Sequence, residues 1–154
     1  MREIKYCECC GAKMITYRER ISKGLSVALF KFYSEIKKKG NKIHLQNDLE
    51  LTKNEYNNFH KLKFHGLVKN YIDQETGYPV QGYWSITEKG KMFLINRLHI
   101  PLYVTTFRNK VVSESEENVS FAGIMGDDFE KYYDQRDDYI LHSENVDFEQ
   151  LKMF

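Results

Sequence analysis

The chain lacks the features that mark several specialised classes of protein. It has no apolar run of about 18 residues or more, which argues against a membrane-spanning helix. It has only two prolines, so few long loops are expected, and its three cysteines form one short cluster instead of a spaced disulfide framework. Internal repeats and low-complexity tracts are missing as well. The polar first residues lack the apolar core of a signal peptide, so a cytoplasmic location is predicted.

Motifs of enzyme chemistry are also missing. The sequence contains no glycine loop that would cradle phosphates, no nucleophile elbow and no spacing typical of a catalytic triad. No Cys-His-Asn or Cys-His-Asp arrangement surrounds the thiols. We therefore expect a protein without enzymatic activity.

The chain has enough apolar residues to form one sizeable core. Its charges are unevenly distributed along the sequence. It has 154 residues, 42% of them hydrophobic, with 11 Tyr and 10 Phe. Residues 1–113 hold 20 Lys and Arg against 10 Asp and Glu, whereas residues 114–154 hold 3 against 12. Such a division indicates a basic body that meets an anion, or two halves that pair with each other.

The first half of the chain predicts two helices and a short strand. The stretch "GLSVALFKFYSEIKKKG" (24–40) has apolar residues three and four apart, with lysines in its last turn and Gly40 at its end. "NKIHL" predicts a short strand. A second helix is predicted from Thr52 to His65, because Thr52 and Glu55 form a capping box and Gly66 follows. The residues predicted to face inward from it are Tyr56, Phe59 and Leu62.

The second half predicts a hairpin, a helix and another hairpin. "VKNYID" and "GYWSIT" indicate strands around the loop "QETGYPVQG". Thr87 caps a predicted helix over 88–98. "LYVTTF" and "KVVSES" indicate a hairpin that turns at Arg108 and Asn109. Short helices are predicted near 119–125 and 128–135.

This order of elements resembles a winged helix-turn-helix over about residues 24–98, and "KLKFHGLV" and "WSITEKGKMFL" are the phrases that carry the likeness. The whole chain also resembles an uncharacterised family of phage and bacterial proteins. Those start with a C-x-x-C-G knuckle and end in a hairpin like "IPLYVTTFRNKVVS" and a "VSF…MGDDF" tail. The order is kept from Cys7 to about Phe129.

The resemblance implies an α+β fold in four segments. They are a cysteine knuckle element (1–20), a winged-helix domain (21–98), a β-hairpin extension (99–126) and an acidic aromatic tail (127–154). One departure matters: only "QNDLEL" (46–51) stands where a full helix normally precedes the recognition helix. Standard docking in the major groove is therefore in doubt.

The exposed face of the second helix is the predicted DNA-binding site. Asn can pair with adenine edges, and Lys with phosphate or guanine. The residues predicted to contact DNA are Lys53, Asn54, Asn57, Asn58, Lys61, Lys63 and Lys69. An ordinary solvated helix face is the alternative interpretation. The leading hypothesis is a phage-type transcriptional regulator that acts in the host cytoplasm.

The predicted wing favours another partner. It has no cation between Lys69 and Lys89, and it offers Asp73, Gln74, Glu75, Tyr78 and Gln81. Phosphate would repel such a loop. The alternative hypothesis is therefore a module that binds and modulates a host protein. In the tail, aspartates alternate with aromatic residues, a pattern that could imitate nucleic acid, cover the basic body, or simply be solvated.

The stretch "YCECCGAKM" predicts half of a zinc site. Cys7 and Cys10 are spaced C-x-x-C and followed by Gly11, which brings two thiolates close enough for one ion. Structural zinc takes four ligands, and no second C-x-x-C follows. A histidine, or Cys7 and Cys10 of a second chain in a homodimer, could complete the site. The alternative is a knuckle that holds no metal.

Overall fold

The protein is a mixed α+β structure, described for residues 2–129 by a computed structural model. The helices are α1 Lys23–Lys39, α2 Lys53–Asn58, α3 Lys61–Phe64, α4 Glu88–Leu94 and α5 Phe121–Met125. The strands are β1 Arg2–Tyr6, β2 Lys13–Arg20, β3 Ile43–His44, β4 Val68–Ile72, β5 Pro79–Ile86, β6 Ile100–Pro101, β7 Tyr103–Phe107, β8 Lys110–Glu114 and β9 Asn118–Val119. All the strands pair antiparallel. No helix in this part of the chain is long and apolar enough to cross a membrane.

Helix α1 forms the centre of the core, as its periodicity predicts. Ser22 caps it by accepting a hydrogen bond from the N–H of Leu25, and Gly40 ends it at a φ of 92°. Its apolar face packs on the segment after β3 and on α4 and α5. The ring of Phe32 contacts that of Phe59 edge-on at 5.1 Å between centroids. The predicted helix over 24–40 is therefore confirmed.

A three-stranded sheet in the order β3-β5-β4 packs beside these helices. The short strand predicted in "NKIHL" is confirmed, and Ile43 is fully buried. The predicted loop over 74–82 is wrong, because β5 already begins at Pro79. Proline is tolerated there because a strand's first residue does not need its N–H in the ladder. Gly82 lies inside β5, where a Cβ would stand 2.8 Å from Nε2 of His44.

The prediction of one continuous helix from Thr52 to His65 is wrong. The capping box at Thr52 and Glu55 is present, but the helix stops after Asn58 and resumes at Lys61. The N–H of Phe59 bonds to the carbonyl three residues back, which tightens the turn between α2 and α3.

Phe59 and Leu62 are fully buried, which confirms that they face inward. Tyr56, predicted to face inward, is instead 44% exposed.

Helix α4 is capped by Thr87 as predicted, yet it ends at Leu94 and not at residue 98. Asn96 has a φ of 62°, and its N–H bonds to the carbonyl of Phe93. The N–H of Arg97 bonds to the carbonyl of Met92. This pair of hydrogen bonds with a left-handed Asn is a Schellman motif, which stops a helix.

A four-stranded sheet has the order β1-β2-β7-β8 and joins the first twenty residues to the later hairpin, while β6 and β9 pair in a two-stranded sheet. Thr16 of β2 pairs with Phe107 of β7. The hairpin turns at Arg108 and Asn109, both at positive φ, which confirms that prediction and is typical of a type I′ turn. The segments 1–20 and 99–126 thus meet in one sheet.

The chain after the hairpin returns to the core. Helix α5 confirms the helix predicted near 119–125, and Ser120 caps it. Phe121 is fully buried and contacts Phe93 and Phe129 edge-on, at 5.7 and 5.9 Å between ring centroids. A 3-10 turn at Gly126–Asp128 follows. The helix predicted near 128–135 lies outside the described residues from residue 130 onward, as does the rest of the tail.

Candidate functional site

The α2–α3 segment separates two different surfaces, and the seven residues predicted to contact DNA are divided between them. Asn54, Asn58 and Lys61 line a cavity on the side of α1 and β2. Asn57 and Lys63 line two cavities on the other side. Lys53 and Lys69 are exposed but line none of these three cavities.

The cavity beside α1 has a volume of about 600 Å³ and carries two carboxylates, Glu19 and Glu55. Nζ of Lys61 lies 3.4 Å from Oε2 of Glu19. The Asn58 amide nitrogen donates to the backbone carbonyl of Asn54 at 2.8 Å. Two of the three predicted residues here are thus held by neighbours. The lining also includes the cations Arg20, Lys23 and Lys61, so this cavity carries charges of both signs.

Glu55 is part of the local framework of α2. Its Oε1 accepts hydrogen bonds from Lys31 Nζ at 2.8 Å and from the N–H of Thr52 at 2.9 Å. Partial burial raises the pKa of Glu55, but these hydrogen bonds outweigh it and hold the pKa below its ordinary value. Glu55 is therefore ionised near neutral pH and forms an ion pair with Lys31.

The two cavities on the opposite side form one surface, because His60 and Trp84 line both. We refer to this surface as the aromatic groove. The first cavity, of about 560 Å³, lies between α2, β3 and β5; the second, of about 610 Å³, lies between α3, β5 and the β7–β8 turn. Among residues 2–129, no Asp or Glu lines either cavity. Two lysines, Lys63 and Lys110, line the second one.

Aromatic side chains form the floor and one wall of this groove. Tyr56, His60 and Phe64 follow one another at four-residue intervals along α2 and α3. Rings of His60 and Phe64 meet edge-on with centroids 6.0 Å apart. The ring of Trp84, in β5, contacts the ring of Phe59 edge-on, with centroids 5.4 Å apart. The groove is therefore rigid at its centre and offers ring surfaces to solvent.

Side-chain amides and lysines surround these rings. The amides of Gln46, Asn57 and Gln81 line the first cavity, and that of Asn109 lines the second. Lys63 is oriented by a hydrogen bond of 2.8 Å from its Nζ to Oδ1 of Asn70. Amides and lysines can bind base edges and phosphates, respectively.

The turn between β4 and β5 has the opposite charge. Asp73 accepts a hydrogen bond from the N–H of Glu75 at 2.8 Å, which closes the turn. Tyr78 is 73% exposed beside it. The structure thus leaves the predicted wing acidic, with an aromatic side chain in solvent.

The three cysteines lie together in the turn between β1 and β2. The N–H of Cys7 donates to the carbonyl of Ala12, and the N–H of Gly11 donates to the carbonyl of Cys7, both at 2.8 Å. Backbone N–H groups of Cys10 and then Cys9 hold the pKa of the Cys7 thiol below its ordinary value. This favours the thiolate that binds metal. In the described part of the chain, no three His, Cys, Asp or Glu side chains are placed to hold one ion.

The aromatic groove was not found by sequence reasoning, although a signal exists. Tyr56, His60 and Phe64 recur every four residues, a spacing that would place three rings on one stripe of an unbroken helix. Tyr56 was assigned to the core because an apolar ring at that position fits an inward face. The side that Trp84 takes follows only from the tertiary structure.

Comparison of the chain with protein-family models, with curated protein sequences and with solved structures gives no match. The resemblance to winged-helix proteins therefore stays a prediction. Function has to be argued from the charges and geometry of the surfaces described above.

Proposed function

We propose that this chain is a non-enzymatic DNA-binding protein with a winged helix-turn-helix over residues 21–98. The succession α1, β3, α2–α3, β4, β5 and α4, with the three strands ordered β3-β5-β4, supports that architecture. A protein of this kind would act by occupying DNA, as a transcriptional regulator of the phage type that the resemblance implies.

The observation that carries the proposal is the absence of acidic residues from the aromatic groove, as far as residues 2–129 are concerned. Lysines at both sides of its second cavity can neutralise phosphates and release their counterions, which supplies most of nonspecific affinity. Asn57, which lines the first cavity, can bind a base edge. The proposal places Asn57 and Lys63 at the contact surface; Asn54, Asn58 and Lys61 line the other cavity.

Replacing two lysines of the groove tests the proposal. Lys63→Ala together with Lys110→Ala should weaken binding to all sequences and lower the slope of log affinity against log salt by about 2, one per lost phosphate contact. Lys5→Ala together with Lys13→Ala, on the exposed β1–β2 hairpin, removes the same charge and should leave the slope nearly unchanged. Equal slopes for both double variants, measured by fluorescence anisotropy, would rule out the groove as the contact surface.

A second candidate function, modulation of a host protein, is favoured by the acidic β4–β5 turn with its exposed Tyr78. A basic partner would find complementary charge there, and Tyr is enriched at protein interfaces. This candidate predicts no DNA binding near physiological salt even at about 100 μM, the weak end of nonspecific affinity.

We also propose that Cys7 and Cys10 bind zinc. The turn holds its thiols at one end of the β1–β2 hairpin, and the backbone N–H groups that stabilise the Cys7 thiolate fit a metal ligand. The turn offers two ligands in this spacing. A second copy of the chain would supply the same two and complete a tetrahedral site in a homodimer.

A further inference from the structure

We infer that the aromatic groove binds the unstacked bases of single-stranded nucleic acid, in preference to an intact duplex. This inference rests on the proposed nucleic-acid function and specifies its ligand. It is carried by the placement of the rings, whereas the proposed function is carried by charge.

The rings suit bases that have left the stack. The His60 and Phe64 centroids are 6.0 Å apart and the ring planes are 86° apart, so the two rings turn their faces in different directions. Bases within a duplex strand are stacked about 3.4 Å apart with their faces covered, so they could not reach such rings without unstacking. The separated bases of a flexible single strand can each turn to meet one ring, because every base has a π face.

The rings are accessible to such bases. Tyr56 is 44% exposed and His60 is exposed, although both lie on elements whose other side is fully buried. Trp84 is half-buried and held edge-on against Phe59 at 5.4 Å, so it does not need to be ordered on binding. A stacking platform that is already rigid loses little conformational entropy when a base arrives.

The surroundings of the rings suit a strand with free base edges. Asn57 and Gln81 are exposed at the first cavity, where their amides can bond to Watson–Crick edges that a duplex would hide. Lys63 and Lys110 flank the second cavity and can follow the phosphates of one strand. Together with the absence of carboxylates from both linings in residues 2–129, these groups make the groove complementary to an extended polyanion with aromatic bases.

A duplex fits less well for two reasons. The α2 and α3 helices have only 6 and 4 residues, too short to lie along a major groove as a recognition helix does. The β4–β5 turn, which would approach the second strand in a winged helix, carries Asp73 and Glu75 and would be repelled by its phosphates. One strand can lie in the groove without reaching this turn.

Binding of the full-length chain to a labelled 20-nucleotide oligothymidylate and to a random-sequence duplex of equal length tests the inference. We expect the single strand to bind more tightly at the same salt concentration. Because Trp84 is the only tryptophan of the chain, its fluorescence should be quenched as a base stacks beside it. Quenching therefore reports contact at the groove itself.

Three variants locate the contact. Tyr56→Ala should weaken single-strand binding by about 5- to 150-fold, as the loss of one stacked base does, whereas Tyr56→Phe keeps the ring and should bind like the wild type. Tyr78→Ala removes an even more exposed tyrosine outside the groove and should have no effect. Circular dichroism of each variant checks that the fold is retained.

The outcomes separate the inference from the function on which it rests. A duplex that binds as tightly as the single strand, or more tightly, overturns the inference and leaves DNA binding intact. Single-strand binding that is unchanged in Tyr56→Ala and leaves Trp84 unquenched also overturns it, because the strand then binds elsewhere. No binding of either ligand at about 100 μM removes the proposed function and the inference with it, and favours a protein partner.

Discussion

The buried histidine at the end of α3 should make the stability of this protein fall in mildly acidic solution. His65 is only 3% exposed, and neither ring nitrogen has a hydrogen-bond partner among the described residues. Burial, and to a lesser degree the positive charge of Lys89, lowers the pKa of His65 to about 4. Nζ of Lys89 lies 3.4 Å from where a Cβ of the adjoining Gly66 would stand.

The sign and size of the effect follow from linkage. In the unfolded chain the imidazole takes up a proton near its ordinary pKa of about 6.5, so below that pH the unfolded state binds more protons than the folded state. The contribution of the neutral His65 side chain to the free energy of unfolding is complete above about pH 6.5 and is lost as the pH falls toward 4. Integrated from pH 7 to pH 5, the loss is about 2 kcal/mol.

Urea unfolding at a series of pH values measures this loss. His65→Leu removes the titrating group and two buried nitrogens without partners, so its stability at pH 7 should be equal or higher. Between pH 7 and pH 5 the free energy of unfolding of the variant should fall by about 2 kcal/mol less than that of the wild type. His99→Leu, at an exposed site, should keep the wild-type dependence.

Carboxylates titrate in all three proteins, so their contribution cancels in the comparison. Parallel curves for wild type and His65→Leu would refute the reasoning, because they would mean that the imidazole has the same pKa in the folded and unfolded states.

Three further predictions concern caps, packing and metal. Thr52→Ala should destabilise the protein by about 1 kcal/mol in urea unfolding, whereas Thr52→Ser keeps the capping oxygen and should not. Gly90→Ala should lower the melting temperature, because its Cβ would meet a backbone carbonyl oxygen at 2.3 Å; Gly24→Ala, with no neighbour nearer than 3.9 Å, should not. Elemental analysis should find half a zinc ion per chain, and this zinc should be lost in Cys7→Ser and in Cys10→Ser. Protein that contains no zinc and folds unchanged in the presence of chelator would contradict the metal proposal.

Local signals in the sequence were enough to predict where many elements begin and end. The capping box of Thr52 and Glu55, the cap at Thr87 and the turn at Arg108 and Asn109 all have the predicted partners or backbone angles. Each depends on residues within three or four positions of one another. Such interactions form whatever the rest of the chain does.

The face that each residue of α2 and α3 presents could not be predicted in the same way. A regular helix over 52–65 would have placed Tyr56 with Phe59 and Leu62 in the core. The tightened turn after Asn58 rotates α3 relative to α2, because burial of Phe59 against Phe32 and Trp84 outweighs one regular helical hydrogen bond. Tyr56 is thereby left in the groove.

Pairings between distant parts of the chain decided the rest of the candidate site. Lys61, predicted to contact DNA, forms an ion pair with Glu19 of β2 and lies on the α1 side, a position that spacing along the chain does not indicate. Strand β2 belongs to the sheet that also contains β7. That sheet also brings the β7–β8 turn, with Lys110, to the aromatic groove. By itself the sequence determined the capped starts of two helices, the hairpin turn and the division of charge, since these depend on neighbours along the chain. Only the tertiary structure decided which side chains share a surface, since strand register and core packing join residues that composition and spacing cannot relate.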